Sequence, residues 1–416
     1  MKQFTFLLIL ICTGFAATAQ PCRYTSRVFS QVAKISDVVY ANVPSIPAVY
    51  VAENVTTDLD LKMDIWQPIG DTMLKRPLII LAHGGGFISG TKDNNDMQYL
   101  ADTLAHYGYV TASIDYRITL NATSTGSVER AIWRATQDGS AAIRFMKEKS
   151  ELYGIDTNQV FVLGSSAGTF LWLSEMYCSN AERLQSTYSA AFPPQPDLGC
   201  KDCEGNSYTH SSRPNALVGC WGAIQDTSWI SATEYIPAIM FHGDADPVVP
   251  YSEGYPFSAL FTAPWVYGSA LMHERLNHLG EVHEFYSGAG QLHEYWGVVN
   301  GAFPPGPVTD PDWEGIIVKT TQFLYNVMGQ PNCTAVSINY PTENKTKMWI
   351  DGNALIVEKM DTKPFSIQVY SLEGKMLLSR ILPAGKSIVG LDGVSGLVVV
   401  KAAAETRKLV SVENLY

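Results

Sequence analysis

The chain reads as an α/β domain, with a mostly parallel central sheet flanked by helices, followed by a small all-β sandwich domain. Three observations predict this. From Asp37 to Met328, short apolar runs bounded by turn residues alternate with stretches whose apolar residues recur every three or four positions, the pattern of strands covered by helices. After Gly329 the texture changes to short alternating runs separated by Gly, Asn, Asp and Pro. The 416 residues, 46% apolar and only 17% charged, suffice for two or three cored domains and exclude a disordered chain, a collagen or a long coiled coil. A net charge of −11 without any Lys/Arg-rich run argues against nucleic acid or anionic lipid as the main partner. The charge is uneven. Residues 335–416 hold ten Lys/Arg against eight Asp/Glu, so the acidity belongs to the larger part.

Residues 1–19 read as a signal peptide. Lys2 precedes an apolar run from Phe4 to Phe15, and Ala17-Thr18-Ala19 form a small-residue cleavage site. The run is shorter than the ~20 residues that span a bilayer, so the expected product is exported, secreted or at the cell surface, with no membrane span. Removing the signal removes Cys12 and leaves Cys22, Cys178, Cys200, Cys203, Cys220 and Cys333. An even count in an exported chain favours disulfides. Cys200-Lys-Asp-Cys203 lacks the second C-x-x-C of a zinc site, and Cys22 and Cys333 are placed to tie together the ends of the larger segment.

Within 20–330, strands are expected at 77–82, 109–115, 160–164, 216–220, 236–241 and 282–286. Val128, Ala131, Ile132, Ala135, Ala142, Phe145 and Met146 mark one helix and Trp313, Ile316, Ile317, Thr320, Phe323 and Val327 another. Residues 178–214 fit neither period, are rich in Cys, Pro, Ser and Asn, and suggest an insertion that could cap a site. Asp138 falls on the apolar face of its helix, where a carboxylate needs a partner. A structural partner such as an Arg or backbone amide is expected, with support of the nearby turn as the alternative.

Three motifs follow strand ends. His83-Gly84-Gly85-Gly86 closes the first strand, and consecutive glycines let bare amides approach a developing oxyanion. A phosphate loop would need a Lys-Ser/Thr that Phe87-Ile88-Ser89 does not supply, and His83 is expected to order the loop rather than act as a base. Gly164-Ser165-Ser166-Ala167-Gly168 stands between a strand and a helix, the setting of a nucleophile elbow that lifts Ser166 above the sheet edge. His242-Gly243-Asp244-Ala245-Asp246 offers two acids. Asp246, deeper in the turn, is expected to orient a base, and Asp244 to cap the turn.

For the base, His273-Glu274 opens like H-E-x-x-H, but Asn277 occupies the second histidine position and His278 points elsewhere on the helix, so no metal is expected. His283 lies within a strand. His293 ends the Gly/Ser-rich loop 287–292 and suits a histidine that reaches the elbow. The chain order Ser166, Asp246, His293 then follows nucleophile, acid and base. Oxyanion donors are expected at Gly85, Gly86 and Ala167. Phe87, Trp172, Trp221 and Tyr295 are candidates to line a substrate pocket, with Phe87 and Trp221 chosen.

On these motifs, residues 37–328 resemble the α/β-hydrolase superfamily, and most of all its esterase and lipase branches with an H-G-G-G oxyanion loop, including carboxylesterase and feruloyl/acetyl-xylan esterase relatives. The resemblance implies an α/β-hydrolase fold with Ser166, Asp246 and His293 as triad, Gly85, Gly86 and Ala167 as oxyanion donors, and no cofactor. The expected activity is a carboxylic ester hydrolase working through an acyl-enzyme on a small neutral or polysaccharide ester. A prolyl-oligopeptidase-type serine peptidase and a non-catalytic surface binding protein on the same scaffold are the alternatives. The first would carry His-Gly-Gly-Pro and a β-propeller, and the second would have lost a triad member. Phe365-Ser-Ile-Gln-Val-Tyr370-Ser-Leu-Glu-Gly374-Lys375 and the strands after Leu391 make residues 335–416 similar to the C-terminal sorting domain of the type IX (Por) secretion system, which implies the type IX secretion machinery as a partner. That segment has no His and no Cys, so no catalytic part is expected of it.

Overall fold

The computed structural model describes residues 22–47, 53–120, 124–191, 194–233, 235–258, 263–297 and 312–330, and in the C-terminal part 346–351, 354–359, 365–371, 376–383, 385–391, 396–402 and 406–412. The signal segment and Cys333 lie outside the described residues. The chain divides into two compact units, Met1–Ala335 and Val336–Tyr416.

The first unit opens with two long strands, β1 (Val32–Ser45) and β2 (Thr57–Pro68), paired antiparallel. Sequence periodicity had not singled out either strand. Their outer halves are exposed, so apolar alternation is confined to the inner half, as at Leu61, Met63 and Ile65. Next come β3 (Arg76–Ala82), the equally unanticipated α1 (Asn95–His106) and β4 (Val110–Ile114). Every residue of β3 and β4 is buried, which explains their unbroken apolar runs: a parallel strand covered on both faces has no polar side.

Helix α2 (Thr125–Glu148) starts at Ser124, whose side chain accepts the Ser127 N–H, and a single turn, α3 (Ser150–Tyr153), ends at left-handed Gly154. Strand β5 (Ile155–Ser165) runs into α4 (Ala167–Tyr177), whose eleven residues are all buried. There follow β6 (Ala216–Cys220), β7 (Ala223–Ile224), β8 (Ala238–Gly243), β9 (Glu253–Gly254) and β10 (Val266–Gly268). The unit closes with α5 (Ser269–Leu279), β11 (His283–Gly288) and α6 (Trp313–Val327).

Eight strands form one sheet in the order β1-β2-β4-β3-β5-β6-β8-β11. From β4 to β11 all neighbours are parallel, and only the leading pair is antiparallel. The short strands β7, β10 and β9 make a separate small sheet. Apolar layers cover both faces of the large sheet, one around α2 and α4, the other around α1 and α6.

The described residues of 178–214 lie along α2 and, apart from a short 3-10 turn (Gln185–Thr187) and an isolated Ala190–Gln195 bridge, form no regular structure. Long side chains of that helix take up their carbonyls. Arg130 donates to Ser186 and Pro196, Trp133 to Gly199, Gln137 to Leu198 and Cys200, and Lys147 to Ser211. Asp138 is buried in the same helix and accepts from the Arg117 amide at 2.7 Å and its Nε at 2.9 Å, so its partner is structural.

Of the cysteines, Cys200 and Cys203 are bridged, and Cys22 is disulfide-bonded with its partner outside the described residues. The even count misleads for the other two. Cys178 and Cys220 are buried free thiols that pack as small apolar side chains.

In the second unit the strands are β12 (Thr346–Asp351), β13 (Ala354–Lys359), β14 (Phe365–Ser371), β15 (Met376–Leu382), β16 (Gly385–Gly390), β17 (Gly396–Ala402) and β18 (Thr406–Val412). They form two antiparallel sheets, β12-β13-β16 and β15-β14-β17-β18. Buried Leu355, Val357 and Val389 on one sheet, and Ile367 and Val369 on the other, follow the period of two.

Candidate active site

Sheet register brings the motifs together. Ala82 pairs with Gly164, Ser165 with Cys220, and Gly243 with Gly288, so the loops after β3, β5, β8 and β11 leave the same carboxyl edge. Ser166 sits between β5 and α4 at φ +50°, a left-handed strain that costs about 1–3 kcal/mol for a residue with a side chain. The flanking glycines make the bend possible. A Cβ on Gly164 would lie 2.4 Å from the Thr169 nitrogen, and one on Gly168 2.1 Å from the Ala82 oxygen. The Ser166 amide donates to the Cys220 carbonyl at 3.0 Å, and its own carbonyl accepts from Thr169 at 2.8 Å.

His293 Nε2 lies 3.0 Å from Ser166 Oγ, and its Nδ1 lies 2.7 Å from Asp246 Oδ2. Because the carboxylate can only accept, the imidazole proton belongs on Nδ1, which leaves Nε2 to accept from the serine. The other Asp246 oxygen accepts the amides of Val248 at 2.7 Å and Val249 at 3.0 Å. Burial works against the Asp246 carboxylate, but His293 and His242 outweigh it and hold the acid well below its ordinary range. Burial likewise pulls His293 down, yet the Asp246 charge and hydrogen bond, with Glu294, leave it raised. Asp244 instead accepts the Gly290 amide at 2.6 Å.

In the glycine loop, Gly85 and Gly86 have φ +116° and +62°, and a Cβ on Gly85 would meet the Ser89 oxygen at 2.1 Å. Ile88 and Ser89 donate to the Gly85 carbonyl, and the Tyr116 hydroxyl donates to the His83 carbonyl at 2.8 Å. His83 is wholly buried and stacked on Tyr116, and burial drops its pKa to about 4. A neutral ring contacting the Gly84 carbonyl at 2.6 Å orders the loop and is remote in role from a base.

Gly86, Ser166 and Ala167 line an apolar pocket of about 60 Å³, and Gly85 is not part of its lining. Phe87 lines the pocket, together with Leu120, Val128, Ile132, Phe170, Val249 and Val266. Two expectations fail here. Trp221 does not reach the pocket. It is wholly buried, donates Nε1 to Ser165 Oγ at 3.0 Å and packs edge-on against His293. Buried there, the indole has a partner for its N–H in Ser165 Oγ, as a buried Trp requires. Trp172 is also core, bonded to the Leu163 carbonyl, and Tyr295 packs on Trp221. None of the described residues of 178–214 lines the pocket, and Val248, Val249, Pro256, Phe257, Ala263, Pro264 and Val266 line it instead.

Sequence reasoning missed three residues. His242, the last side chain of its apolar strand run, reaches Asp246 Oδ2 at 3.2 Å and Ser269 Oγ at 2.9 Å. Tyr116 carries the His83 stack. Glu294 is almost wholly buried next to the base at φ +54°. His273 pairs with His283 at 2.7 Å, and among the described residues no three His, Cys, Asp or Glu side chains are grouped to hold a metal ion.

Comparison with known proteins places this geometry in context. The family profile described as BD-FAE matches residues 63–201, which carry the glycine loop and the elbow. Gut esterase 1 of Caenorhabditis elegans is 31% identical over 96 residues, covering 23% of this chain and 17% of its own. Phenmedipham hydrolase of Pseudarthrobacter oxydans is 30% identical over 111 residues, 26% of this chain and 22% of its own. Esterase LipI of Mycobacterium tuberculosis is 29% identical over 103 residues, 25% of this chain and 29% of its own. The chain thus spans less than a third of the length of these relatives. Among solved structures, Thermogutta terrifontis esterase 2 phosphorylated by paraoxon is similar at a TM-score of 0.47 and 20% identity, over 71% of this chain and 94% of that one. By its own strand order, antiparallel lead and strand–turn–helix elbow, the first unit has an α/β-hydrolase fold.

Proposed function

We propose that the chain is an exported serine ester hydrolase of carboxylesterase type, and that its substrates carry short acyl groups on small neutral alcohols or on a polysaccharide. The observation that carries this is the Ser166–His293–Asp246 chain of contacts at 3.0 and 2.7 Å beside an apolar recess. In this reading His293 takes the Ser166 proton as Oγ attacks the ester carbonyl. Asp246 stabilises the imidazolium, the amides of Gly85, Gly86 and Ala167 receive the oxyanion, and the alcohol leaves with the proton from His293. Water then releases the acid by the same route. The recess of about 60 Å³ equals roughly four spheres of ~15 Å³, one per water, which suits an acyl chain of a few carbons better than an aromatic acid.

The supporting test is an organophosphonate label together with turnover of p-nitrophenyl acetate, p-nitrophenyl octanoate and methyl ferulate. Label on Ser166, acetate ahead of the other two, and a loss of about 10⁴-fold or more in Ser166→Ala are expected. An unlabelled serine in folded protein, or turnover of an aminoacyl-Pro amide alone, would overturn the reading.

Export rests on the leader pattern of residues 1–19, and delivery by the type IX machinery on the motif pattern of residues 335–416. Among the described residues no helix is long and apolar enough to cross a membrane.

A further inference from the structure

Behind the catalytic base lies a second buried carboxylate. Glu294 follows His293 directly, and its left-handed backbone at φ +54° turns its side chain inward, where the residue is 2% exposed. Glutamate is rarely buried so fully without a task or a partner. The carboxylate meets the glycine loop: a Cβ on Gly84 would lie 3.0 Å from Glu294 Oε1, 3.4 Å from Ser166 Cβ and 3.5 Å from the Ser165 carbonyl. The bare face of Gly84 is therefore where nucleophile, elbow and Glu294 converge.

A third acid feels the Glu294 charge. Asp96, in the first turn of α1, is wholly buried, and one oxygen accepts the Met97 amide at 2.8 Å. Its other oxygen has no partner among the described residues. Burial and then the charge of Glu294 push its pKa up to about 8, so it stays protonated at neutral pH. Among the described residues, the titratable groups near Glu294 are Asp96 from α1, His83 and Tyr116 beside the glycine loop, Cys220 from the end of β6, and His293 with Asp246. The field of Glu294 is felt at Asp96, Cys220 and His293.

We infer that Glu294 is a positioning residue for the proposed reaction, a second carboxylate that stabilises the protonated base and seats the glycine loop against Ser166. The inference rests on the serine-hydrolase reading above.

The test is the pH profile of kcat/KM for p-nitrophenyl acetate on the full chain. Glu294→Gln keeps the shape and removes the charge, so His293 gives up its proton more readily. The acid limb should move to lower pH by about half a unit or more, with kcat down about tenfold and KM changed less than about twofold. Glu294→Asp should restore part of the shift. A Glu294→Gln enzyme whose acid limb stays in place overturns the inference, even if its Tm falls. Should that variant not fold, a Glu294→Asp enzyme whose acid limb and kcat both equal those of wild type overturns it instead. Either result leaves Ser166 labelling intact, whereas failure of wild type to take the label would strike the serine-hydrolase reading itself.

Discussion

At the scale of single residues, the site depends on side chains whose protonation is set by burial. Asp246 has its full complement of acceptor bonds, from His293, His242 and two amides, so exchanging it for Asn leaves the shape and inverts the proton bookkeeping. Asp246→Asn is expected to cost about 10⁴-fold in kcat with unchanged Tm at neutral pH, read by stopped-flow acylation and calorimetry. His83 gives a different signature. Burial holds its folded pKa at about 4, below the ordinary 6.5 of histidine, so the stability it contributes is complete above 6.5 and is lost as pH falls through 4. His83→Gln should flatten the loss of Tm between those limits. A wild-type Tm that does not fall there would show that the ring is not kept neutral.

At the scale of elements, two features decide whether the site assembles. The elbow allows α4 to pack against the loop after β3 only because Gly168 has no side chain. Gly168→Ala places a Cβ 2.1 Å from the Ala82 carbonyl, and backbone cannot move aside as a flexible side chain could. Loss of folded protein, or destabilisation of about 3 kcal/mol or more in urea melts, is expected.

The second feature is α2, which organises residues 178–214 through its polar side chains. Arg130 and Arg134 both pair with Glu53, and all three are buried. Arg130→Ala leaves Glu53 to Arg134 alone and strips the carbonyls of Ser186 and Pro196 of their donor, and should destabilise the fold by about 2–3 kcal/mol. Since that face does not line the Ser166 pocket, KM for p-nitrophenyl acetate should stay near wild type in the folded fraction. A large rise in KM would mean that the insertion does reach the substrate.

At the scale of the whole molecule, the chain has two units with separate cores, and the second contains neither His nor Cys among residues 335–416. Deleting 335–416 is expected to leave kcat/KM within about twofold while abolishing surface delivery in cells. Loss of both would make the second unit part of the catalytic fold. Much of this organisation was legible in the sequence. Buried parallel strands such as 216–220 appear as unbroken apolar runs, and a strand–Gly-x-Ser-x-Gly–helix context has few other uses. The glycines at 85, 164 and 168 stand where backbone approaches backbone, a requirement local enough to read from order along the chain.

What the linear sequence could not decide depended on which surfaces meet. The leading antiparallel pair carries its apolar alternation over only half its length, and α1 was passed over although it packs beneath the sheet. Whether an aromatic is core or pocket is a question of distance in space, so Trp221 became the support of Ser165 and His293 while Phe87 faced the recess. The same holds for charge. By sequence alone the chain determined that a serine, a histidine and an acid stand at strand ends in a workable order. Only tertiary packing decided that Glu294 turns inward, that Asp96 lies buried close enough to feel its charge, and that residues 178–214 lie along α2. Burial and electrostatic neighbours arise from contacts between segments far apart in the chain, and no local pattern records them.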